Sequence, residues 1–113
     1  MAGTIERQQQ HGTVVIANGA TASAEILLLG YAQGGFALPA AFTGASISFQ
    51  VARVSGGTFL ALRDDTNTVI SITVAVSVAY PLPVELFAGW AAAKIVSASA
   101  EGAARTLEVV LKS

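Results

Sequence analysis

Residues 66–84 read TNTVISITVAVSVAYPLPV, and the spacing of the apolar side chains in this stretch decides the fold class. Ile70, Ile72, Val74, Val76, Val78 and Tyr80 hold one parity, while Ser71, Thr73, Ala75, Ser77 and Ala79 hold the other. A period of two is the signature of a strand with one face on a core. The stretch therefore predicts one long strand, or two strands with a bend, its second face lined by small residues. It is uncharged from Thr66 to Val84, long enough to raise the question of a membrane helix. The interleaved Ser and Thr, and the closing Pro81 and Pro83, argue against that.

The same period runs outward in both directions. In residues 45–53, Ile47, Phe49 and Val51 alternate with Ser46, Ser48 and Gln50. Near the end, Leu107, Val109 and Leu111 alternate with Thr106, Glu108 and Lys112. Shorter strands are expected over residues 12–17, 24–29, 36–38, 58–63 and 93–97, and the Ile-Leu-Leu-Leu run from Ile26 suggests burial on both faces. Turn signals separate them: Asn18-Gly19, Gly34-Gly35, Thr43-Gly44, Ser55-Gly56-Gly57 and Asp64-Asp65-Thr66-Asn67. Helix is expected only within residues 84–93, where Pro83 opens a turn or two and Gly89 interrupts it. Strands about every ten residues with no convincing helix indicate an all-β antiparallel sandwich of about eight strands. One domain over residues 12–113 follows, preceded by a polar arm over residues 1–11 that carries Gln8, Gln9 and Gln10.

At 113 residues the chain is about one ordinary domain, which buries roughly 65% of its unfolded surface. Hydrophobic residues make up 53% and charged residues 12%, about half the usual charged share, with a formal net charge of -1. That balance excludes a disordered tail and argues against nucleic-acid binding through a basic patch. No Cys is present, which removes thiol chemistry, Fe–S clusters and disulfides. The polar N-terminus, lacking an apolar core segment, does not read as a signal peptide, so the protein is expected to be made in the cytoplasm.

Scarce charge makes solubility the informative problem. The chain has only two lysines, Lys94 and Lys112, and the uncharged β-prone run at 69–80 is an aggregation hazard if exposed. Such a run is expected in the middle of a closed sheet pair, on a subunit that packs against neighbouring chains.

The search for chemistry is short. His11 is the sole imidazole and lies in the arm, and no G-x-S-x-G turn exists, so a Ser-based triad lacks its base. Asp64 and Asp65 are adjacent acids that could offer oxygens to calcium, but at the end of a strand they read as turn residues. Glu25, Glu85, Glu101 and Glu108 are scattered and form no recognisable glycosidase pair. Among the aromatics Phe36, Phe42, Phe49, Phe59, Phe87, Tyr31, Tyr80 and Trp90, core packing is the default. Trp90 is the best candidate for partial exposure, though packing under a loop is the default for it too, and Trp90 with Tyr31 exposed on one face would favour glycan binding. No catalytic, cofactor-binding or metal-ligating residues are assigned, and the chain reads as no enzyme.

In order along the chain stand VVIANGATASAEILLLG (14–30), FALPAAFTGASISFQVA (36–52), TFLALRDDTN (58–67), YPLPVELFAGWAAAKIVSASA (80–100) and RTLEVVL (105–111). This succession resembles the small jelly-roll β-sandwich proteins that serve as capsid decoration or cement subunits of tailed bacteriophages. The PAAFTGASISFQV and LFAGW…KIVS segments carry most of the likeness, which spans residues 12–112. The resemblance implies a jelly roll on the outer surface of the virion shell. It implies the major capsid protein as partner, contacts between copies or a homo-oligomer, and neither nucleic acid nor membrane as ligand. A phage tail or fibre component, or a small glycan-binding module, is the alternative.

Overall fold

A computed structural model describes residues 9–28, 33–82 and 90–112. Nine strands run in the order β1 (Gln9–Ile16), β2 (Ile26–Leu27), β3 (Gln33–Ala37), β4 (Ser46–Ala52), β5 (Leu60–Ala61), β6 (Ser71–Thr73), β7 (Ala79–Leu82), β8 (Ala92–Ser97) and β9 (Arg105–Lys112). One antiparallel sheet has the order β1-β9-β3-β7, and the other β2-β8-β4-β5 with β6 also paired to β4. Successive strands alternate between the sheets except at β4, β5 and β6, which stay in one sheet, and this is the arrangement of a jelly-roll sandwich.

The ninth strand arises because one strand position is interrupted. Leu60 and Ala61 face Val51 and Gln50, and further along β4 Ser71, Ile72 and Thr73 face Ser48, Ile47 and Ser46. β5 and β6 are therefore two parts of one line, separated by a tight excursion whose neck is the Arg63↔Val69 bridge. Asp64 builds this turn as its sequence suggested. Its Oδ1 accepts from the N–H groups of Thr66 (2.9 Å) and Thr68 (3.0 Å), while Asn67 takes a left-handed φ of 65°.

The core lies between the sheets and comes from the parity read in the sequence. Ile47, Phe49 and Val51 of β4, Ile95 of β8, and Leu107, Val109 and Leu111 of β9 are all buried. Each side chain of this size contributes roughly 1.5–3 kcal/mol when taken out of water. Phe36 joins them and stacks on Tyr80, with centroids 5.8 Å apart.

The stretch 70–80 forms two strands in opposite sheets. β6 ends at Thr73, the chain turns through Ser77 at φ 58°, and β7 begins at Ala79. Ile70, Ile72, Val74 and Tyr80 pack on the core, but Val76 and Val78 at the corner are exposed. Burial of the Ile26–Leu28 run on both faces does not hold. Ile26 and Leu28 point inward, and Leu27 is 47% exposed. Gly34 and Gly35, expected as a turn, pair within β3 with both β7 and β9. The expected boundary between arm and domain at residues 11/12 falls inside β1, where His11 faces Val110 of β9. Most of the expected helical segment lies outside the described residues, and Ala92 and Ala93 open β8 instead.

Candidate functional site

The two ends of the sandwich differ in kind. At one end the β1–β2, β3–β4, β6–β7 and β8–β9 connections meet, and a buried carboxylate ties three of them together. Glu101, 1% exposed, accepts at Oε1 from Thr43 N–H (3.0 Å) and Arg105 Nε (2.9 Å). Its Oε2 accepts from Gly44 N–H (3.2 Å) and Ser97 Oγ (2.9 Å). The backbone of the same residue bonds the β1–β2 connection, receiving Gly19 N–H (2.7 Å) and donating to the Ala20 carbonyl (3.1 Å). Burial pushes this carboxyl up, but the N–H of Thr43, the Arg105 side chain and the hydroxyls of Thr43 and Ser97 outweigh it and hold the pKa at about 2. A carboxylate with every oxygen occupied by its own chain is a structural tie, with no free lone pair aimed at a substrate. Sequence reading placed Glu101 only among the scattered acids; its one signal was the Arg four residues later in an otherwise small, apolar segment.

At the opposite end the surface is apolar. Leu27, 47% exposed, faces Ala92 across β2–β8; Leu60, 63% exposed, faces Val51; Val54 and Trp90 follow and precede the paired Ala52 and Ala92 and are also exposed. Chain position and register put all four at this end of the sandwich, with Leu27 on the outer face of the sheet beside Ala92 and Leu60 on the far edge strand at the parity of the buried Val51. Of the large exposed apolar residues, Val15, Val76 and Val78 lie elsewhere. Beside the rim, the Glu25 carboxylate is held by the Ser55 hydroxyl and by Gly56 N–H (2.8 Å), which lower its pKa. Gly56 takes a φ of 72° there, a conformation glycine accepts without strain.

The face of the β2-β8-β4-β5 sheet turned away from the core carries small polar residues, with Ser46, Ser48 and Gln50 alternating with the buried positions of β4. Lys94 is the cation on this face, and its Nζ stands 4.4 Å over the Phe59 ring. Trp90 is 38% exposed, more open than the default of packing under a loop, whereas Tyr31 and Phe87 lie outside the described residues. Phe36, Phe42 and Phe49 are core. His11 is exposed on β1, and among the described residues no three His, Asp or Glu side chains group as a metal site. Asp64 is committed to its own turn. Among the described residues no helix is long and apolar enough to cross a membrane.

No protein-family model and no curated protein sequence matches the chain. Its fold, however, is shared. The crystal structure of the SPBc2 prophage-derived protein YomS superposes with a TM-score of 0.57 over 98% of this chain and 100% of that one. Sequence identity is 14%, so the likeness is one of architecture.

Proposed function

We propose that the chain is a non-enzymatic structural protein of a bacteriophage virion: a decoration or cement subunit that binds the outer surface of the major capsid shell and stabilises it. The observation carrying this reading is the apolar rim of Leu27, Val54, Leu60 and Trp90 at one end of a domain with only 12% charged residues. A contact built from apolar area with little charge suits a shape-matched interface. Adhesion to a shell needs little from each subunit, because many copies act together on one particle. The shared fold with a prophage-derived protein supports a phage setting, and the resemblance of the strand succession to decoration proteins supports the head over the tail.

Copy number in purified particles from the source, measured by quantitative mass spectrometry against the major shell protein, tests the proposal. On the order of hundreds of copies is expected of a subunit that acts by multiplicity. A handful would move the protein to a tail or fibre, and absence would overturn the virion reading. Shell binding by the Leu60→Asp variant should be weakened at least tenfold relative to wild type. Removing residues 1–8 leaves β1 whole and asks whether the expected arm shares in the contact; unchanged binding would exclude it.

A further inference from the structure

Among the described residues the two sheets leave four outer edges, and three of these carry a device against pairing with another strand. At β2 the register shifts by one residue between Ala22↔Val96 and Ile26↔Ala93, a β-bulge, and the adjacent Glu25 carboxylate is tied across to Ser55 and Gly56. The β5–β6 edge is cut by the excursion that carries Arg63, Asp64 and Asp65. β7 contains Pro81. Leu38 N–H bonds the Val78 carbonyl (3.1 Å), so the alternation turns Tyr80 and Leu82 toward β3 and Pro81 outward, where it removes a donor from the edge.

β1 is different. It runs for eight residues, QQHGTVVI, with no Pro, no Lys and no carboxylate. Val15 turns its carbonyl away from β9 to accept Ala24 N–H (3.1 Å), so the alternation places the N–H and C=O groups of Thr13, His11 and Gln9 on that same outer side. The 22–24 segment covers the Val15 end of this edge, and among the described residues β9 is the strand partner of β1. His11, Gly12 and Thr13 are all exposed.

We propose that this edge pairs with β1 of a second copy of the chain, antiparallel, about a two-fold axis at His11. In that register His11 lies opposite the partner's His11, and Gln9 lies opposite the partner's Thr13. Every outward position from Gln9 to Thr13 is then used, each pair exchanging two backbone bonds. No carboxylate or ammonium lies at these positions; among the described residues, the neighbouring charges Glu108 and Lys112 are one strand removed, in β9. A second copy is favoured over an unlike strand because the contact is self-complementary and closes. The two four-stranded sheets become continuous and end on both sides at β7, where Pro81 prevents further addition. A chain with one open edge dimerises, whereas one with two polymerises. The inference rests on edge geometry alone, so it stands or falls separately from the virion reading.

Sedimentation equilibrium of the full chain decides it. The edge contact is small, so a weak dimer is expected, with the apparent mass rising from 11.4 kDa toward twice that value as concentration reaches on the order of 100 µM. Thr13→Pro removes an outward N–H and no bond to β9; it should weaken association at least tenfold while the circular dichroism spectrum stays that of wild type. His11→Lys sets two ammonium groups together at the axis and should do the same, so it decides alone should the proline variant fail to fold. A wild type monomeric throughout, or a dimer indifferent to the substitutions that fold, would overturn the proposal.

Discussion

Arg105 Nε lies 2.9 Å from Glu101 Oε1, with the carboxylate sealed from water and the arginine side chain still 15% exposed. The pair closes the connection between β8 and β9, and the other donors to Glu101 come from connections that cross between the sheets. Removing one partner of a buried pair strands the other. Glu101→Ala leaves a mostly buried guanidinium, two backbone N–H groups and the hydroxyls of Thr43 and Ser97 without their acceptor. The expected loss is about 3–5 kcal/mol in urea unfolding, a large part of the stability of a domain this size. A loss below about 1 kcal/mol would mean that water replaces the carboxylate freely.

The same carboxylate makes stability depend on pH in a stated direction. Its pKa falls from an ordinary 4.5 to about 2 on folding, so the folded state binds the proton less readily than the unfolded one. The contribution is complete above about pH 4.5 and disappears as pH falls toward 2. It amounts to about 3 kcal/mol at 1.4 kcal/mol per unit. Glu25 and Asp64, lowered by their own hydrogen bonds, act in the same direction. Urea midpoints collected from pH 7 to pH 2 should decline over this window in the wild type and much less in Glu101→Gln.

Gly44 sits where a side chain would disturb the tie. A Cβ there would overlap Ser97 Oγ and stand 3.1 Å from the Phe42 ring, which forces the Ser97 hydroxyl off Glu101. Gly44→Ala is expected to cost about 1–3 kcal/mol. In a Ser97→Ala background the hydroxyl is gone and the same substitution should cost less. A double-mutant cycle measures this coupling, and strictly additive losses would separate the two residues.

Tyr80 fixes the corner between β6 and β7. Its hydroxyl accepts Ala75 N–H at 2.7 Å while its ring stacks on Phe36. Tyr80→Phe keeps the stacking and loses the bond, at about 1 kcal/mol. Amide exchange at Ala75 should accelerate in this variant while exchange in β9 falls only with global stability.

Much of this architecture was legible because period two is a direct image of a half-buried strand. β4 alternates without exception between Ser46 and Val51, β9 does so between Thr106 and Leu111 except at Val110, and the structure keeps those parities. The Asp64 turn was legible for a similar reason, since its side chain supplies the acceptor locally. The corner at Ser77 was hidden. β6 and β7 lie in facing sheets that share one core, so the parity of Ile72 continues in Tyr80, and a serine at φ 58° gives no composition signal. Gly34 and Gly35 misled in the other direction, since paired glycines read as a turn and here lie within a strand. The role of Glu101 depends on donors at Thr43 and Gly44, far away in sequence, which no local pattern announces. The apolar rim was hidden likewise, because Leu27, Val54, Leu60 and Trp90 come to one end of the sandwich only through the strand order.

The excursion between β5 and β6 is closed at its own neck. Ile70 N–H reaches the Leu62 carbonyl at 3.2 Å, Asp64 N–H reaches the Thr68 carbonyl at 2.9 Å, and Arg63 reaches back to the Asn67 carbonyl at 3.0 Å. Everything beyond that neck is exposed and contributes nothing to the core. The strand line can therefore lose residues 64–68 to a foreign peptide and still present both halves to β4, because the cost of a longer loop grows only slowly with its length. On a subunit repeated over a particle, such a grafting point would convert the domain into a scaffold that shows the same epitope at every copy.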